Sequence, residues 1–212
     1  MKKLDFKREL KHLYKPSGQK VSVVDVPPLN FLTITGQGNP NSSPAYQEAV
    51  EALYSVAYTV KFMVKKGELA LDYGVMPLEG LWWVPDMREF SMDDKDAWLW
   101  QMMIMQPEFI TADMIAEAKA QATKKKGLAA IDRLQLEQFV EGTAVQILYT
   151  GPYADEGPTI QKLHQHINEI GAELSGKHHE IYLSDPRRAA PEKLKTVLRQ
   201  PFVVKEAVAP SP

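Results

Sequence analysis

The order of breakers and apolar stripes along this 212-residue chain repeats once, and that repetition limits the possible folds more than any other feature. In the first half, residues 21–26 and 31–35 are rich in Val, Ile and Phe and read as strands, separated by Pro27-Pro28, which cannot donate to a β-ladder. Residues 36–43 then read as a loop. From Pro44, the residues Val50, Leu53, Ala57, Val60 and Val64 recur at helical spacing until Lys65-Lys66-Gly67 supplies a stop. Strands at 73–83 and 97–105 follow, the second ended by Pro107. The second half runs the same way. It has a strand at 143–150, a break at Gly151-Pro152, a helix over 158–170 with Ile160, Leu163, Ile167 and Ile170 on one stripe, and strands at 178–183 and 196–204. Thr111 caps a connector helix running to Lys124-Lys125-Lys126, with Asp113 in its first turn as the helix dipole prefers.

This pattern predicts an α+β fold: duplicated βαββ units related by a pseudo-two-fold, with antiparallel sheets around a central ligand cleft and helices on the outer side. The letters of the two halves hardly match, so the repeat rests on element order. Residues 1–20 read as an N-terminal helical lead-in and 21–204 as the domain, with a first unit at 21–106, the connector helix at 111–126 and a second unit at 136–204. The tail 205–212 reads as frayed.

With 44% hydrophobic residues the chain can build a substantial core. Its 25 Lys and Arg against 27 Asp and Glu leave no positive excess for a phosphate backbone, which argues against nucleic acid as a partner. Cysteine is absent, removing disulfides, thiolate metal sites and cysteine nucleophiles together. No apolar run reaches the roughly 18 residues of a membrane span, and no secretory h-region follows the charged N-terminus, so a cytoplasmic location is expected.

The strand Lys177-His178-His179-Glu180-Ile181-Tyr182-Leu183 sets an acid in what reads as core. Alternation puts Glu180 on one face with His178 and Tyr182, and Ile181 and Leu183 on the other. Burying a carboxylate costs several kcal/mol unless a partner or ligand compensates it, so a pocket is sought at Glu180. Trp98 and Trp100 share one strand face, which would give an aromatic wall, and of the adjacent pair Trp82-Trp83 only one can line the same cavity; Trp82 is the candidate. Tyr54 and Tyr58 share a helix face, and Tyr54 and Tyr149 complete the candidate ligand set with Glu180, Tyr182, Trp82, Trp98 and Trp100. The bland reading stands beside this one: a strand Glu is more often solvent-facing, and Trp98 to Met105 can simply be core. His164 and His166 are about 200° apart on a helix and cannot hold one metal, while His178 and His179 diverge and read as solvated. Asp155 and Glu156 read as helix N-terminal residues, with Glu156 able to rim a cleft. No metal or cofactor is expected.

The turn Thr150-Gly151-Pro152-Tyr153, the strand Glu180-Ile181-Tyr182-Leu183 with Asp185-Pro186, and the repeated element order resemble the GyrI-like small-molecule-binding family. The loop Thr35-Gly36-Gln37-Gly38-Asn39-Pro40-Asn41 and the run Ser184-Asp185-Pro186-Arg187-Arg188 are similar to its stand-alone bacterial branch. The resemblance implies a pair of βαββ units around a ligand cleft with Glu180 as the central acid. It implies binding of bulky hydrophobic or cationic aromatic compounds, for sequestration or sensing, by a monomer or homodimer. Two alternatives come with it. One is hydrolysis of strained cyclopropane-containing cytotoxins, with Glu180 as general base and Tyr182 or Trp100 assisting; the other is a protein-binding adaptor.

Overall fold

The computed structural model describes residues 2–86 and 94–204. Its strands are β1 (Lys2–Leu4), β2 (Ser22–Val26), β3 (Leu29–Gln37), β4 (Leu71–Tyr73), β5 (Leu78–Trp83), β6 (Leu99–Gln106), β7 (Gln135–Phe139), β8 (Gly142–Thr150), β9 (Ala172–Leu174), β10 (His178–Tyr182) and β11 (Lys195–Val204). The helices are α1 (Phe6–Glu9), α2 (Lys11–Tyr14), α3 (Pro44–Lys66), α4 (Ala112–Lys126), α5 (Ala130–Arg133) and α6 (Gly157–Glu169). The mixed fold with antiparallel strands agrees with the sequence reading. Ser43 caps α3 by accepting the Tyr46 N–H at 3.3 Å, Pro44 opens it, and the Gly67 N–H closes it on the Met63 carbonyl.

One sheet runs in the order β2-β8-β11-β10-β5-β6-β3-β7, with β9 pairing on the far end of β11. Within it β3, α3, β5 and β6 follow each other as β8, α6, β10 and β11 do, and each set lines up its strands in the same order. The sets join where β5 and β10 pair antiparallel, from Trp82↔His178 to Leu78↔Tyr182. The halves therefore share one continuous sheet instead of presenting two sheets across a gap, because two edges of complementary strand polarity satisfy each other's N–H and C=O groups.

The helices also sit differently from expectation. Directly paired residues of an antiparallel ladder share a face, so Glu180, Gly80, Met102 and Ile34 form one row and continue into Leu198 and Ile147. Leu163 and Ile167 of α6 pack with Val145, Ile147 and Leu198, and Tyr46 of α3 touches Trp82 and Trp100. α3 and α6 thus lie on the face that carries Glu180, with the acid between them. On the opposite face α2 packs against Glu79 and Arg199, with its Leu13 and Tyr14 buried.

Other differences are local. The span 73–83 divides at Gly74 to Pro77, and its first part is β4, which pairs parallel with β1 in the segment read as purely helical. β3 runs on to Gln37, taking Gly36 into the sheet instead of the loop. β7 and β9 are short edge strands in stretches read as connections, where exposure leaves little alternating pattern to read. The tail expected to fray lies outside the described residues.

Candidate functional site

Three cross-strand rows build the site. Gly36, Trp100, Trp82 and His178 form the first, Glu180 and Gly80 belong to the second, and Leu78, Tyr182, Thr196 and Tyr149 to the third. The glycines matter through what they lack. A Cβ on Gly36 would stand 2.2 Å from Cη2 of Trp100, and one on Gly80 would stand 2.9 Å from Nε1 of Trp82. Only bare backbone lets both indoles lie down on the sheet. Lying across Gly80, Trp82 donates its N–H to the Tyr182 hydroxyl at 3.0 Å, and Tyr182 donates in turn to Glu180 Oε2 at 2.7 Å. Nε2 of His178 is 3.3 Å from Glu180 Oε1, close enough for charge pairing yet without hydrogen-bond alignment. Burial pushes the Tyr182 phenol well above its ordinary value, and the Glu180 carboxyl beside it adds to the shift. The phenol accordingly stays a donor.

Gly36→Ala is expected to lift Trp100 off this floor. The fold should lose about 1–3 kcal/mol through overpacking, and an aromatic ligand should bind roughly tenfold more weakly, the loss of about one ring contact. Urea unfolding and ligand titration by tryptophan quenching measure both. Unchanged quenching would mean that Trp100 does not line the site.

Of the sequence candidates, Glu180, Tyr182, Trp82 and Trp100 share the face, with Trp98 edge-on to Trp82 at 5.5 Å. Tyr54 lies at the margin, its hydroxyl bonded to the Leu78 backbone and its ring stacked on Tyr58 at 6.2 Å. Tyr149 shares the face, but its hydroxyl donates to the Pro152 carbonyl at 2.9 Å and so braces the turn into α6. Trp83 points away, under the Lys177 ammonium at 3.4 Å.

Sequence reasoning missed Tyr46, Tyr153 and Thr196 and gave Glu156 only a marginal place. Tyr46 stands edge-on to Trp100 at 5.3 Å, and Tyr153 edge-on to Tyr182 at 5.6 Å. Glu156 opens α6 without capping it; its side chain is 2% exposed and feels Glu180. Burial, then the facing Glu180, raise its carboxyl to about 9, against a smaller pull from Thr196 and Lys95. Of six buried side-chain polar atoms without a hydrogen-bond partner among the described residues, five belong to Trp100, Glu156, His178 and Thr196 around this site. Orphans concentrated at one place single it out as the candidate site. His178 and His179 are buried and not solvated, with their rings on opposite faces.

The sequence profile of the GyrI-like small molecule binding domain matches residues 19–202. The chain belongs to the GyrI-like family. Among solved structures, an uncharacterized conserved protein from Listeria innocua is 42% identical, covering 94% of this chain and all of its own, with a TM-score of 0.87. A hydrolase from Listeria innocua is 43% identical over 95% of this chain and all of its own, with a TM-score of 0.85. The C-terminal domain of EcmrR shares the fold at 12% identity, covering 88% of this chain and 98% of its own, with a TM-score of 0.54. The comparison with curated proteins returned no match. Membership makes the chain a small-molecule-binding domain, and among the described residues no helix is long and apolar enough to cross a membrane.

Proposed function

We propose that this GyrI-like domain takes a bulky aromatic molecule against its indoles and hydrolyses those members of that class that carry a strained electrophilic carbon, such as a cyclopropane conjugated to a carbonyl. One observation carries the reading: Glu180 is set among rings with one oxygen fixed by the Tyr182 hydroxyl, which is itself fixed by Trp82. A carboxylate oxygen offers two lone pairs, so the bond from Tyr182 leaves room for a water. Glu180 takes a proton from that water as its oxygen attacks the strained carbon. The ring C–C bond breaks, and its electron pair passes to the conjugated carbonyl oxygen, which is protonated. The product is substrate plus one water.

The aromatic set Tyr46, Trp82, Trp98, Trp100 and Tyr153 suits flat apolar bodies by stacking, and cationic ones through the ring faces and the Glu180 charge. Apolar stacking sets few hydrogen-bond requirements, so a broad substrate range is expected. That relatives 40% and 43% identical are called hydrolases supports the catalytic reading over sequestration alone. Mass spectrometry after incubation with a cyclopropane-bearing alkylating compound tests it. A product heavier by one water is expected; intact compound at stoichiometric protein, with tryptophan quenching still showing binding, would leave a binding protein only.

A further inference from the structure

Glu156 is a second carboxyl in the site, and the side chain that draws on it as a hydrogen-bonding neighbour is the Thr196 hydroxyl. Glu156 stands at the start of α6, where a carboxylate would ordinarily cap the free N–H groups, yet its side chain makes no cap hydrogen bond. Instead it is 2% exposed, with Oε1 fully buried and unpartnered. The charged and titratable groups that face it are Glu180 and Tyr182 on β10, Tyr149 on β8, Tyr153 in its own turn and Lys95 in the turn before β6, with the Thr196 hydroxyl on β11 beside them. A buried acid with one oxygen unpartnered is costly, and Leu would fill the space without that penalty. Costs of this kind are retained where chemistry uses them.

We propose that Glu156 is the general acid of this site, donating its proton to the oxygen that gains the electron pair when Glu180-activated water opens the strained ring. The proposal rests on the hydrolase reading above. The balance closes without any other reactant: the water proton goes to Glu180, the C–O bond forms, the ring C–C bond breaks, and the Glu156 proton completes the product. The two carboxyls hold one proton between them before and after, displaced from Glu156 to Glu180, and its return through the shared site or solvent resets the pair. Burial and the facing Glu180 keep that proton on Glu156 through neutral pH, up to about 9.

Glu156→Gln keeps the shape and neutrality of the protonated acid but cannot donate. It should bind ethidium, read by tryptophan quenching, within about threefold of the native protein, while turnover of the cyclopropane compound falls about 10²-fold or more. In the native protein kcat/KM should decline as pH rises through about 9, the value to which Glu156 is raised; Glu156→Asp should keep that alkaline limb and Glu156→Gln should lose it. Turnover in the Gln variant equal to native, or a native profile flat to pH 10, overturns the role of Glu156 while leaving the hydrolase standing. No hydrated product from the native protein brings down the hydrolase reading and this one with it. If the Gln variant does not fold, a native profile flat to pH 10 still overturns the proposal, and a decline of kcat/KM through pH 9 while circular dichroism shows the fold intact still supports it.

Discussion

Glu180→Gln is expected to lower turnover of a cyclopropane-bearing substrate by about 10³-fold, within the range that removal of a general base covers. The amide is the same size and can still accept from Tyr182, so the rings around it should keep their places. What it loses is basicity toward water and the negative charge. Affinity for an aromatic cation such as ethidium should also fall, by roughly tenfold, since one charge-assisted contact goes. Affinity for a neutral aromatic of similar shape should stay nearly constant. Single-turnover kinetics and quenching titrations separate these effects, and native values for both turnover and cation affinity would remove Glu180 from the site's chemistry.

Arg199→Met is expected to cost about 3–5 kcal/mol of stability, the range for breaking a buried ion pair from one side. Arg199 lies on the opposite face of the sheet, 2% exposed, donating to Glu141 at 2.9 Å, to Gln146 at 3.0 and 3.1 Å, and to the Leu13 carbonyl at 2.9 Å. His179 bridges Glu141 at 2.8 Å and Glu79 at 3.0 Å, and Tyr14 donates to Glu79 at 2.7 Å. The network ties α2 to the back of the strand that carries Glu180. Met fills the volume but leaves Glu141 buried against His179 alone. Urea unfolding near pH 6 measures the loss, and a change under about 1 kcal/mol would mean that the network does not hold the lead-in down.

The same groups set the pH dependence of stability. Burial alone would raise Glu141, but His179 and Arg199 overcome it and hold the carboxyl at about 2; its contribution is present above the ordinary 4.5 and is lost as pH falls through 2. Burial would lower His179, yet Glu141 and the bond to Glu79 bring it up to about 9. Its contribution is complete below 6.5 and is lost as pH rises through 9. Glu156, also raised to about 9, adds to the alkaline loss, since a folded state that binds its proton more tightly is favoured only while the proton is present. Stability should therefore peak near pH 4.5, fall gently as Glu156 in the unfolded chain gives up its proton above that value, and fall more steeply above 6.5 where His179 joins it. Above pH 7 the Glu156→Gln variant should melt higher than the native protein, by an amount that grows toward pH 9. A native melting temperature that rises between pH 7 and 9 would contradict the assignment of both groups.

Much of the fold was legible because its signals are local. The stripe Val50, Leu53, Ala57, Val60 and Val64 in α3 and the stripe Leu163, Ile167 in α6 needed no partner to be recognised, and alternation alone put Glu180 with Tyr182 and His178 and Trp82 opposite to Trp83. Glu79 and Arg199 were overlooked and His179 was read as solvated, although Glu79 and Arg199 alternate onto a strand face with apolar neighbours and His179 shares that face with Ile181. Opposite charges at inward positions of separate strands were the available sign that they pair. Gly36 offered a weaker sign, a glycine two residues beyond Ile34 in a β-rich run, which fits close approach by a ring as well as a turn.

The sequence by itself determined which residues share a face, since side-chain periodicity follows from backbone geometry one segment at a time. Only the tertiary structure decided that β5 and β10 fuse the halves into one sheet, that α3 and α6 flank Glu180 on the same face, and that Glu156 turns inward beside it. Those outcomes depend on which strand edges meet and which buried polar atoms find partners. They are fixed by contacts between residues about a hundred positions apart, such as Trp82 with Tyr182, and no local pattern encodes them.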